Sequence, residues 1–294
     1  MLTIVGLVIV MVMVFGGYTM AGGQMAIILK ALPFELVMIG GAGVGTYLMA
    51  NSTAVLRQSV GDLMLTLRGP RWRKKDYTDL LCLLFELVRL ARTDALALEA
   101  HIENPEASEI FARYPAVRAD AFARAFICDY LRVATMSFDD AHQVGEIMER
   151  DLELHHAEVM RPAGAIQTLT DALPALGIVA AVLGVIKTMA SIDEPPAVLG
   201  KMIGGALVGT FLGVFLSYCF TGPLAARIRT IHEDDQRFYA LIRDVLVAYL
   251  QRHPPNICIE IGRKSVPGAI RPGFTEIEQA INALKVQAAA RQAA

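Results

Sequence analysis

ALPALGIVAAVLGVIKTMASI (Ala172–Ile192) and MIGGALVGTFLGVFLSYCFTGPL (Met202–Leu224) decide the fold class, because each is long and apolar enough to cross a bilayer. A hydrocarbon core of about 30 Å needs about 20 mostly apolar helical residues. Gly205, Gly209, Gly213 and Ser217 recur at four-residue steps and form one side-chain-poor ridge. Gly177, Ala181 and Gly184 make a similar face on the preceding segment. Such ridges let another helix approach closely, from the same chain or from a different one. Neither segment holds Asp, Glu or His in its interior, so the expectation is that the lone chain lacks an ion-carrying carboxylate. The polar side chains are Thr210, Ser217 and Tyr218 in the second segment, with Lys187 and Thr188 toward the outer end of the first. Thr210 lies about 100° around the helix from the ridge. Its hydroxyl either bonds back to the preceding turn or faces a pore.

Two further spans stand nearer the start, at about Met1 to Met20 and Pro33 to Ala50, the latter with Gly41 and Gly45 four residues apart. The first lacks the basic flank of a signal peptide and reads as a retained anchor. Gln24 to Ala31 reads as a short interfacial helix ended by Pro33. The hydrophobic share of 54%, with 19% charged residues, fits this count, as does a mean hydropathy of +0.46. Of 27 Lys and Arg residues, 14 fall between Thr53 and Leu169 and 10 from Pro223 onward. The flanks Arg57, Arg68, Arg71, Arg73, Lys74 and Lys75, and then Arg227 and Arg229, place the large loop, the tail and both termini in the cytoplasm.

The large loop reads as helical. Leu80, Leu81, Leu84, Leu87, Val88 and Ala91 recur at helical spacing within Tyr77 to Ala100, and the pattern repeats in Ala116 to Ala134 and Phe138 to Met160. Ser137, Asp139 and Asp140 form a candidate N-cap. Ile231 to Leu250 is a further amphipathic helix, Pro254 to Pro272 reads as irregular, and an Ala-rich helix starts at Phe274. Pro174 and Pro223 read as boundaries of the last two spans, at the height where a hinge would lie. Arg92 and Glu99, seven residues apart, are expected on one helical face at a rise of about 10.5 Å.

Enzyme chemistry finds no foothold. Phosphate-binding loops and nucleophile elbows are missing from the sequence, and the four scattered cysteines make no zinc spacing. Both His155-His156 with Glu158 and His232 to Asp235 read as solvated helix faces. A net charge of -2 disfavours nucleic acid.

Several strings resemble the MotA family of flagellar stator subunits: FGGY (Phe15 to Tyr18), IENPEASEIFARYP (Ile102 to Pro115), LPALGIVAAVLGV (Leu173 to Val185), VGTFLG (Val208 to Gly213), and IGRK with RPGF (Ile261 to Phe274). The resemblance implies an all-α membrane protein with four transmembrane helices, a large helical cytoplasmic loop and a helical cytoplasmic tail. The layout is 1–52 for the first two spans with the interfacial helix, 53–171 for the rotor-interacting loop, 172–224 for the last two spans and 225–294 for the tail. It implies a proton-conducting complex of about five copies around a MotB pair, in the lipid of a bacterial inner membrane, turning the rotor protein FliG, with MotB supplying the ion-binding aspartate. Thr210 matches the family's pore-facing threonine, Pro174 and Pro223 its two functional prolines, and Glu99 its rotor-facing glutamate. Ala181 stands where sodium-driven relatives carry threonine, so H+ is expected over Na+. Tyr218 is added to the ion pathway, and Gly177, Gly184, Gly205, Gly209 and Gly213 to helix packing. The family's rotor-facing arginine falls on Ala91 here, leaving Arg92 beside it or Arg89 as substitutes. Proton-driven transducers of the ExbB or TolQ type are the nearest alternative, and they usually have three spans.

Overall fold

The computed structural model describes residues 2–67, 71–136 and 140–292, and all regular structure among them is helical. Helix α1 (Leu2–Met11) passes through a π turn (Val12–Gly16) into α2 (Gly17–Met20). Next, α3 (Met25–Glu35) passes through a second π turn (Leu36–Gly40) into α4 (Gly41–Ala50), and α5 (Thr53–Thr66) follows. Then come α6 (Lys74–Thr93), α7 (Ala95–Glu103), α8 (Glu109–Ala112), α9 (Pro115–Ala119), α10 (Ala121–Thr135) and α11 (Ala141–Val159). The chain continues with α12 (Arg161–Met189) and α13 (Pro196–Leu216), and a third π turn (Ser217–Thr221) leads into α14 (Gly222–Leu250). The last helices are α15 (Pro255–Ser265) and α16 (Phe274–Gln292). Two compact units result: residues 1–69 with 159–231, and residues 70–158 with 232–294.

The first unit holds the apolar helices. Among the described residues, four helical stretches are long and apolar enough to span a membrane, each overlapping one of the segments read from the sequence. Their helical ends differ from the expected ones. Pro33 does not end an interfacial helix but sits inside α3, so Met25 to Ala50 is one 26-residue run. Proline removes one backbone donor, a loss that membrane helices tolerate. Likewise α12 begins 11 residues before Ala172 and carries Pro174 in its interior. Hydropathy marks where lipid begins, whereas a helix stops only where its backbone bonds stop; Gln167 and Asp171 pair at 2.9 Å one turn apart without interrupting α12. Ile39, Leu173, Ala180 and Leu212 form the buried core of this unit.

The second unit has the larger core, built on α6. Leu80, Leu81, Leu83, Leu84, Leu87 and Val88 are fully buried, each contributing about 1.5–3 kcal/mol of transfer free energy. Helix breaks fall on aspartates: Asp94 caps α7 by accepting from Ala97 N at 2.9 Å, and Asp120 caps α10 by accepting from Ala123 N at 2.7 Å. Neither Tyr77 to Ala100 nor Ala116 to Ala134 is therefore a single helix. At the start of α11 Asp140 accepts from His142 N and Gln143 N at 2.9 and 3.2 Å; Ser137, Phe138, Asp139 and Arg68 lie outside the described residues. The expected irregular stretch contains α15, whose Pro255 occupies a first turn where its missing donor costs nothing.

The two acidic and histidine clusters are solvated only in part: Glu158 is exposed, and His155 and His156 are half-buried. His232 and Asp235 are buried. Asp235 accepts from Trp72 Nε1 at 2.6 Å and from Arg71 at 2.7 Å, and Arg71 also pairs with Asp120. Tyr239 donates to Asp120 at 3.0 Å. Trp72 stacks on Phe238 at 3.8 Å between ring centres, and His155 stacks on Phe122 at 3.6 Å. Burial pushes His155 and His156 below their ordinary range, against the pull of neighbouring carboxylates.

Arg71→Ala leaves two buried carboxylates short of a partner and should cost about 2 kcal/mol, read as a lower melting temperature in detergent. Because the folded state keeps His155 and His156 neutral where the unfolded chain binds protons, stability should fall as pH drops from about 7 to about 5.5. His155→Phe keeps the stack and should flatten that slope; identical wild-type melting at both pH values would contradict this account.

Candidate functional site

The crossing of α12 and α13 is built from glycines. A methyl group on Gly177 would come within 2.8 Å of Gly209 O and 3.0 Å of Gly213 Cα, and one on Gly213 within 2.6 Å of Leu173 O. These contacts are backbone on backbone. A methyl on Gly184 would lie 2.6 Å from the Cβ and 3.0 Å from the Cα of Ala206. Gly205 differs, with no atom inside 4 Å of such a methyl, and it lines a cavity of about 700 Å³. The glycine ridge is thus largely occupied within the chain.

Below this crossing lies a polar tie between the two helices. Pro174 has no N–H to offer the carbonyl of Thr170 one turn earlier. That carbonyl accepts from Ser217 Oγ at 2.8 Å, and both residues are buried. Ser217 itself opens the third π turn, where Gly222 N donates to Ser217 O and Pro223 follows. Pro174 and Pro223 are therefore not helix boundaries. Both sit in continuing helix, one compensated by Ser217 and the other preceded by a widened turn.

Thr210 follows Gly209 on α13 and is half-buried. Thr170 and Thr188 each bond back to a carbonyl one turn earlier at 2.9 Å; Thr210 has no such bond among the described residues. Ala181 is across the crossing, its N 3.1 Å from a methyl on Gly209. Tyr218 is not brought to this point and is 71% exposed.

The expectation that the chain supplies no carboxylate here needs correction. Glu35, at the end of α3, is 5% exposed, and a methyl on Gly209 would lie 2.7 Å from its Oε2. That oxygen has no hydrogen-bond partner. Glu35 lies two residues past Pro33, in the second span rather than in the two spans that cross. The signal in the sequence is that Glu35 and Lys30 are the two charged residues in the 26-residue stretch from Met25 to Ala50.

In the second unit, Asp94 ends α6 and starts α7, so Arg92 and Glu99 do not share one straight helix. Arg92 donates to the carbonyl of His253 and lies 5.8 Å from the ring centre of Tyr249. Arg89 is half-buried, Glu99 is exposed, and Ala91 packs on the core. The IENPEASEIFARYP string works as a clamp: Tyr114 and Arg113 bond the buried Glu86 at 2.7 and 2.5 Å, while Ile102 and Phe111 enter the core.

The family model Motility protein A N-terminal matches residues 4–95, and that of the MotA/TolQ/ExbB proton channel family matches residues 118–238. Motility protein A of Salmonella typhimurium is 38% identical over 286 residues, covering 97% of this chain and 96% of its own length. The chain belongs to the motility protein A family. Motility protein A of Escherichia coli is equally similar, at 38% identity over 286 residues. In fold, this motility protein A relative matches the flagellar MotAB stator complex from Bacillus subtilis with a TM-score of 0.72 at 21% identity, over 91% of this chain and 96% of that one.

Gly177→Ala and Gly213→Ala should each destabilise the helix pair by about 1–3 kcal/mol, while Gly205→Ala should be tolerated by the fold. Ser217→Ala should cost about 1 kcal/mol. Melting temperatures in detergent check the order.

Proposed function

We propose that this chain is the MotA-type subunit of a flagellar stator in a bacterial inner membrane, where it and a MotB-type partner form a proton-conducting complex that turns ion motive force into torque. The observation that carries the reading is the 38% identity to Salmonella motility protein A along nearly the whole of both chains. Four candidate spans and this full-length match favour it over a transducer of the ExbB or TolQ type. About five copies would surround a MotB pair, with the loop, the tail and both termini in the cytoplasm.

The physical basis is the cost of charge in hydrocarbon. Burying a carboxyl in its neutral form costs several kcal/mol less than burying it ionised. Protonation of the partner's aspartate beside the α12–α13 crossing would therefore favour a different helix packing. Thr210, whose hydroxyl is not spent on its own helix, would hold water or the hydrated ion there. Ala181 adds no oxygen ligand, which supports H+ over Na+. Pro174 and Pro223, with the Thr170–Ser217 tie between them, would carry the motion toward the cytoplasmic helices. Glu99 would face the rotor protein FliG. Arg89 is the better basic partner for that surface, because Arg92 is already engaged by His253 and Tyr249.

Co-reconstitution with a one-span partner bearing a membrane aspartate should produce proton uptake into vesicles, without sodium, well above that of either chain alone. Equal uptake by this chain alone would remove the basis of the reading. Glu99→Lys and Arg89→Glu should each lower swimming speed and be partly rescued by opposite charge changes on FliG, as expected of a steered charged contact. Arg92→Ala should instead lower thermal stability.

A further inference from the structure

The cavity beside Gly205 is walled by three of the apolar helices. Gln24 stands at the N-cap of α3, Lys30 within it and Glu35 at its end; Lys187 and Thr188 come from the end of α12, and Lys201 from the start of α13. At about 700 Å³ it has room for many waters. Its titratable lining consists of Glu35 and the three lysines, and none of the lysines forms an ion pair with Glu35 among the described residues. Glu35 stands at the inner limit of this space, where its Oε2 reaches Gly209, next to Thr210 and opposite Ala181.

We propose that Glu35 is a proton-binding carboxyl in the conduction path, supplied by this chain and loaded from the lysine-lined cavity. The inference rests on the stator reading for its direction of flow, since the cavity opens at the end of the spans away from the large loop. A buried polar group without a partner is costly and rare, and ionisable residues within membrane segments mark ion pathways. The step is a simple transfer: a hydrated proton in the cavity gives its proton to the Glu35 carboxylate and leaves water. The neutral carboxyl then returns the proton to water or to the partner's carboxylate at the Gly209–Thr210 face. The missing Cβ of Gly209 is what lets the carboxyl reach the crossing.

The test uses the full chain co-reconstituted with its one-span partner in vesicles, with a proton gradient as the driving force and an internal pH dye as the readout. Glu35→Gln keeps size and polarity but holds no titrating proton, and it should lower flux at least about tenfold while flattening its dependence on outside pH. Glu35→Asp should conduct with a displaced pH profile. Wild-type flux and an unchanged pH profile in Glu35→Gln would overturn the proposal. Infrared difference spectra between low and high pH, taken on this chain in lipid without the partner, separate the proposal from the stator reading. A protonated-carboxyl band that disappears in Glu35→Gln supports the site even if the complex passes no protons, in which case the stator reading alone falls. A difference spectrum that Glu35→Gln leaves unchanged overturns the proposal even where wild-type flux is normal. Should Glu35→Gln fail to assemble with the partner, the infrared comparison and the Glu35→Asp profile decide.

Discussion

The apolar unit depends on backbone meeting backbone where Gly177 crosses Gly213. In hydrocarbon, lipid tails solvate apolar side chains as well as other side chains do, so burial alone does not hold two helices together. Close contact does, through dispersion between atoms that only glycine allows to approach. Once α12 and α13 touch at this point, the positions of Ala181, Gly209 and Ser217 along both helices are set. The Ser217 hydroxyl then falls on the carbonyl that Pro174 leaves open. Glu35 likewise reaches the crossing only because Gly209 presents no side chain to block it.

The second unit follows a different rule. In water, burial of leucines along α6 supplies the cohesion, and polar groups enter the interior only in satisfied sets. Arg71, Asp120, Asp235, Trp72 and Tyr239 form one such set, and Glu86 with Arg113 and Tyr114 another. These sets account for sequence strings that look functional at first sight. The arginine and tyrosine closing IENPEASEIFARYP hold Glu86, and Arg263 of the IGRK string bonds Glu260 and the carbonyl of Pro272.

The sequence made the spans legible because a 20-residue apolar run has few other uses, and the small-residue spacing pointed to the helices that cross. Helix ends were harder to read. Pro33, Pro174 and Pro223 looked like stops, yet each lies in continuing helix, since one missing donor is affordable where a hydroxyl, water or widened turn compensates. The break at Asp94 was missed for the opposite reason: heptad-like leucines continue across it, and a single capping side chain outweighs them locally. The meaning of Glu35 is three-dimensional. Only the fold shows that an acid on the second span lies against a glycine on the fourth. The burial of His232 and Asp235 is of the same kind, since Trp72 and Arg71 come from far away in the chain.

The tie from Ser217 to the Thr170 carbonyl makes one rung of α12 depend on another helix. Bending an ordinary helix in lipid means stretching a backbone rung that no solvent can replace. At Pro174 that rung never formed, and a hydroxyl on the neighbouring helix occupies its place. Flexing there exchanges one side-chain bond, worth about 1 kcal/mol, close to the thermal scale. At this height the straightness of α12 rests on its neighbour rather than on its own backbone alone.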